Sequence, residues 1–110
     1  EDLNMNNDLI VGQKVYDLIL YWHQLIVKFP KNERFVLGQN IEKQLLHVFK
    51  LINKINNIHD DRKKYYSELS EEIDMLFILN RLTKDLKFIS VKQYLTIAER
   101  INEIAKISCA

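Results

Sequence analysis

A chain of 110 residues with a net charge of +1 is long enough for one domain with a single core and too short for two. Hydrophobic residues make up 47% while glycine and proline together number three, which excludes disordered, collagen-like and turn-rich β classes and leaves a compact helical domain. No apolar run approaches the ~20 residues that span a bilayer, and the acidic start lacks the basic opening of a signal peptide, so a soluble, cytoplasmic protein is expected.

Residues 1–7 show no apolar periodicity and are predicted to be loose, with residues 8–110 forming the single domain. Met5 is a candidate natural start, in which case Glu1 to Asn4 are an added tail. The first helix is predicted over Asp8 to Lys28. Val11, Val15, Leu18, Trp22, Leu25 and Phe29 step 4-3-4-3-4, which places them in one narrow core stripe. Tyr16, Leu20, His23 and Val27 repeat 4-3-4 on nearly the opposite side. A second apolar face on a short chain reads as a subunit contact, since large exposed patches are disfavoured; scattered surface apolars are the alternative.

A helix corner follows. Pro30 lacks an N–H and pushes Phe29 out of the α region, so the first helix should stop there. Asn32 is the expected cap of the next helix, with Glu33 near its positive end. Phe29 and Phe35 are expected to anchor the corner as buried apolar groups. The second helix is predicted over Glu33 to Asn56, with Leu37, Ile41, Leu45, Val48, Ile52 and Ile55 as its core stripe. Gly38 costs ~1 kcal/mol against alanine in such a place, for which a close helix crossing compensates. On the far face Lys43, His47, Lys50 and Lys54 step 4-3-4 with no acid among them. This is either a solvated lysine face or a phosphate-binding stripe.

Asn57 to Asp61 form the next connection, with an aspartate as cap. Arg62, Lys63 and Lys64 then set positive charge at a helix N-terminus against the macrodipole, a small cost that points weakly to binding, with Glu68, Glu71, Glu72 and Asp74 near enough to offset it. The third helix is predicted to reach Lys87 with Leu69, Ile73, Leu76, Leu79, Leu82 and Leu86 as a broad apolar face. Phe77, Arg81, Lys84 and Phe88 share one side, with Lys87 adjacent. Aromatics interleaved with cations can stack bases and neutralise phosphates; two packed phenylalanines under the stems of Arg81 and Lys84 are the competing picture. Ser90 and Gln93 spell a capping box that opens the fourth helix. Its seam is expected from Val91, Tyr94, Ala98, Ile101 and Ala105, broadened by Leu95, Ile97 and Ile104. Four such helices on short connections predict an all-α, antiparallel up-down-up-down bundle.

Signatures of catalysis are absent. None of His23, His47 and His59 has a glutamate three residues before it, so the Glu-x-x-His pairs of di-iron bundles are missing. Gly12 and Gly38 are the only glycines and make no phosphate loop. His59-Asp60-Asp61 reads as a capping loop in preference to a metal site. Cys109, the only cysteine, has no disulfide partner and reads as a thiol near a frayed end. A non-enzyme with no cofactor and no metal is expected.

Lys28-Phe29-Pro30-Lys31-Asn32-Glu33-Arg34-Phe35, followed by Leu37-Gly38-Gln39 and Ile41-Glu42, resembles the corner of the Avd proteins, the accessory variability determinants of diversity-generating retroelements. Arg81 to Lys87 and Ser90 to Tyr94 resemble the segment joining that family's third and fourth helices, and Tyr16-Asp17-Leu18 fits as well. The order and spacing of the three pieces, across roughly Asp8 to Lys106, are what is specific. The resemblance implies four-helix protomers in a homopentameric ring, association with a reverse transcriptase, and binding of RNA or cDNA during mutagenic reverse transcription. On this chain the implied phosphate contacts fall to Lys43, Lys50, Lys54, Arg81, Lys84 and Lys87, with Arg62 to Lys64 as a second patch, weak and sequence-independent. Two alternatives stand beside it: the similar four-helix proteins of rRNA intervening sequences, whose role is obscure, and a protein-interaction scaffold that never touches nucleic acid.

Overall fold

The computed structural model describes residues 2–58 and 60–108, with side chains from Leu9 onward; the expectations for Glu1, His59 and Cys109 lie outside the described residues. Helices α1 (Asp2–Ile26), α2 (Lys31–Glu33), α3 (Gln39–Asn57), α4 (Arg62–Asp85) and α5 (Val91–Ser108) account for nearly all of it, with a π-helical turn at Arg34–Gly38 between α2 and α3. The three pieces from Lys31 to Asn57 follow one another without a break, so the chain makes four rods and, among the described residues, no strand. α1 packs on α3, α3 on α4, α4 on α5, and α5 back on α1. This four-helix bundle, 45 × 23 × 19 Å, places α1 and α4 on diagonally opposite corners, both running toward the same end. α1 begins at Asp2 and not at Asp8, in a segment that holds neither proline nor glycine to stop it.

The stripes predicted for the first two rods form the core as expected. Val11, Val15, Leu18, Trp22, Leu25 and Phe29 are buried on one side, and Leu37, Ile41, Leu45, Val48, Ile52 and Ile55 on the other. α5 is held against α1 at the surface by a Lys14–Glu103 ion pair and by Arg100 over the Tyr21 ring at 4.8 Å.

The corner departs from expectation in two ways. Pro30 is itself the N-cap: its carbonyl accepts from the Glu33 and Arg34 N–H groups at 2.9 and 3.1 Å, while Asn32 lies inside α2 and no side chain caps it. Phe29 is buried, but Phe35 is 63% exposed. The π turn explains this. Gln39 N–H reaches back to the Arg34 carbonyl, and the residue so added to the turn brings Leu37 and Gly38 inward in place of Phe35. The close crossing expected at Gly38 is present: a Cβ there would lie 2.7 Å from Ile26 Cγ2.

α4 and α5 correct the predicted seams. In α4 the buried positions are Leu69, Ile73, Leu76, Asn80 and Thr83, a strict 4-3-4-3 step, and Leu82 and Leu86 face outward. Asn80 Nδ2 donates to the Tyr94 carbonyl at 3.0 Å, and Thr83 Oγ1 to the Leu79 carbonyl at 2.6 Å. These bonds make two polar groups tolerable inside, though Asn80 Oδ1 and Trp22 Nε1 find no partner among the described residues. In α5 Ile97, Ile101 and Ile104 are the buried set, Tyr94, Ala98 and Ala105 are half-buried, and Val91 and Leu95 are exposed. The Ser90–Gln93 capping box is formed in both directions, at 3.0 and 2.9 Å. The cap of α4 is Asp61, as expected by position, yet through its backbone: its carbonyl accepts from Lys64 and Tyr65, and its side chain makes no cap bond.

Candidate nucleic-acid and subunit interfaces

On α3, Lys43, His47, Lys50 and Lys54 all point outward and are exposed. Their stripe is free of acids only within its own helix. α4 brings Glu68 and Glu72 to 3.8 and 3.9 Å from His47 Nε2, and Glu72 also accepts from Gln44 Nε2 at 2.7 Å. The carboxylates divide the stripe, leaving Lys43 toward the corner and Lys50 and Lys54 toward the other end. Lys54 Nζ sits 4.8 Å over the Tyr65 ring. That contact joins two patches far apart in sequence, because Tyr65 directly follows the Arg62–Lys64 cluster. Arg62 spends its Nε on the Ile58 carbonyl at 2.9 Å, whereas Lys63 and Lys64 are exposed. The result is a basic end patch of Lys50, Lys54, Lys63 and Lys64.

The Phe77, Arg81, Lys84, Phe88 side of α4 is not an open stacking platform. Arg81 and Lys84 both turn to Asp85, at 3.7 and 3.3 Å, and Lys84 also lies 4.7 Å over Tyr94. Phe88 packs on Phe29 and Phe77 is half-buried. Lys87 is exposed and left-handed, with φ 66°, and closes α4: its N–H bonds to the Lys84 carbonyl while Phe88 N–H reaches the Thr83 carbonyl. This pairing is a Schellman motif with lysine where glycine is usual.

Tyr16, Leu20, His23 and Val27 are exposed along α1, with His23 Nδ1 3.4 Å from Glu42 Oε1 across the α1–α3 groove. A second apolar face was hidden in the sequence: Met75, Ile78, Leu82 and Leu86 of α4 are exposed, and Val91 and Leu95 of α5 are exposed as well. The signal for it was the 4-3-4-3 step, which continues past Leu76 through Asn80 and Thr83 and so leaves the leucines outside. No group of three or more His, Cys, Asp or Glu among the described residues could hold a metal ion, and no helix among them is long and apolar enough to cross a membrane.

No curated protein and no solved structure matches the chain. A family model described as bAvd-like matches residues 9–110, from the second turn of α1 onward through the whole of α5. With a match that spans all four rods, the chain belongs to the bAvd-like family.

Proposed function

We propose that this chain is a non-catalytic accessory protein of a diversity-generating retroelement, a cytoplasmic homo-oligomer that binds a reverse transcriptase and RNA or cDNA and leaves the chemistry to the polymerase. The family match over residues 9–110 carries the reading. Two features support it. The apolar faces of α1 and α4 are the wrong surface for a lone bundle and the right one for an assembly, which the family resemblance makes a pentamer. The end patch of Lys50, Lys54, Lys63 and Lys64, repeated around a ring, would multiply phosphate contacts that are few on one protomer. Lys43, Arg62, Arg81, Lys84 and Lys87 are secondary candidates, since four of them already serve contacts within the protomer or turn geometry and Lys43 borders the apolar groove.

Co-expression with the reverse transcriptase of a diversity-generating retroelement tests the reading: a stable complex is expected by size-exclusion chromatography with the cognate polymerase, and its absence counts against the accessory role. The scaffold alternative draws on one observation, the neutralisation of Arg81 and Lys84 by Asp85. It expects the polymerase complex with no nucleic-acid binding at any salt.

A further inference from the structure

Two unpartnered apolar surfaces flank α3, and their chemistry differs. The groove between α1 and α3 at the corner end is a cleft of about 480 Å³ lined by Val27, Phe35 and Leu46 together with the cations Arg34 and Lys43. Its single carboxylate, Glu42, already faces His23. The outer face of α4 carries Met75, Ile78 and Leu82, with Glu71 and Asp74 exposed on the same turns and in no ion pair among the described residues. One surface is apolar and basic, the other apolar and acidic. A groove meeting a second groove would set Arg34 and Lys43 against their own kind; a groove meeting an α4 face pairs opposite charges.

The two surfaces also lie at the same height. Phe29 and Phe88 touch, which fixes the ends of α1 and α4 level with each other. Across their shared neighbour α3, His23 meets Glu42 and Gln44 Nε2 donates to Glu72, which sets Val27 level with about Ile78 and Lys43 with about Asp74. Joining the faces therefore requires a rotation about an axis along the bundle and no shift along it, the geometry that closes a ring instead of extending a fibre.

We infer that the α1–α3 groove of one copy receives the outer face of α4 from the next, a head-to-tail contact in which Lys43 meets Glu71 and Asp74. The inference rests on the homo-oligomer reading above and adds to it which surfaces meet. It also removes Lys43 from the nucleic-acid surface, since its ammonium is spent between subunits.

The test is complementation between two half-blocked chains. Val27→Asp spoils the groove and Ile78→Asp spoils the α4 face; both sites are exposed, so each variant should keep its helical circular dichroism, with Leu46→Asp and Leu82→Asp as replacements if one does not. Each variant alone is expected to be monomeric by light scattering under conditions in which the wild type assembles. An equimolar mixture is expected to give a heterodimer, because one intact groove and one intact α4 face remain. If Ile78→Asp and Leu82→Asp assemble like wild type, or the mixture stays monomeric, the pairing is overturned while homo-oligomerisation stands. A wild-type chain that is itself monomeric at micromolar concentration overturns both.

Discussion

Phe29 and Phe88 meet with their ring centroids 5.4 Å apart at an interplanar angle of 42°, and this tilted contact ties the corner after α1 to the turn after α4. It joins the ends of helices on diagonal corners of the bundle. Phe29 is buried, so Phe29→Ala should cost ~3 kcal/mol or more, the range for an aromatic deleted from a packed interior. Phe35→Ala removes a ring that is mostly in water and should stay within ~1 kcal/mol. Urea unfolding in dilute protein, below the concentration at which the chain assembles, separates the two; comparable losses would mean that Phe35 is packed and the π turn is misplaced.

Capping should follow the hydrogen bonds and not residue type. Ser90→Ala removes a formed cap on α5 and should cost ~1 kcal/mol, while Asn32→Ala, which removes no cap bond, should change stability by less than ~0.5 kcal/mol. A large effect at Asn32 would restore it as the cap of the second rod.

Lys87 holds a left-handed φ of 66° at the end of α4. Glycine adopts this conformation without a Cβ penalty, so Lys87→Gly should raise stability by ~0.5–1 kcal/mol, less a few tenths for the cation removed from the helix C-terminus. The expected readout is a higher urea midpoint with an unchanged slope. A lower midpoint would show that the lysine side chain contributes more than its backbone costs.

The first two rods are legible in the sequence because every apolar residue on their core stripes follows the last by three or four positions, from Val11 to Phe29 and from Leu37 to Ile55. α4 is harder to read because hydrophobicity and periodicity diverge there. After Leu76 the step lands on Asn80 and Thr83, and following leucines instead of the step turns the assumed face by roughly 100°, the rotation of one residue. What reconciles a polar pair with the core is a bond from Asn80 to the backbone of α5, a tertiary fact with no local trace. The same holds for the basic stripe. Lys43, Lys50 and Lys54 share a face in sequence, but the carboxylates that divide it arrive from another helix, and the aromatic that joins Lys54 to the Lys63–Lys64 cluster does too. The exposure of Phe35 has a local cause, a π turn that no spacing rule anticipates.

Nucleic-acid binding should follow the end patch and not the α4 cations. Lys50 and Lys64 make no ion pair among the described residues, and Lys54 lies over Tyr65 with no carboxylate partner among them, so all three remain able to displace counterions from phosphates. Arg81 and Lys84 share Asp85, and phosphate binding by either would first have to give up that carboxylate. Binding of single-stranded RNA and DNA, measured across a salt series, should therefore be sequence-independent and steeply salt-dependent. The slope of log affinity against log salt should fall by ~0.7 for each single-strand phosphate that a variant no longer neutralises. Lys50→Gln, Lys54→Gln and Lys64→Gln combined should weaken binding and flatten that slope with assembly intact by light scattering. Arg81→Gln with Lys84→Gln should leave both nearly unchanged. The reverse ranking would place the site on α4 after all, and a wild type that binds nothing even at low salt would leave these lysines as solvated surface and the protein as a scaffold for the polymerase.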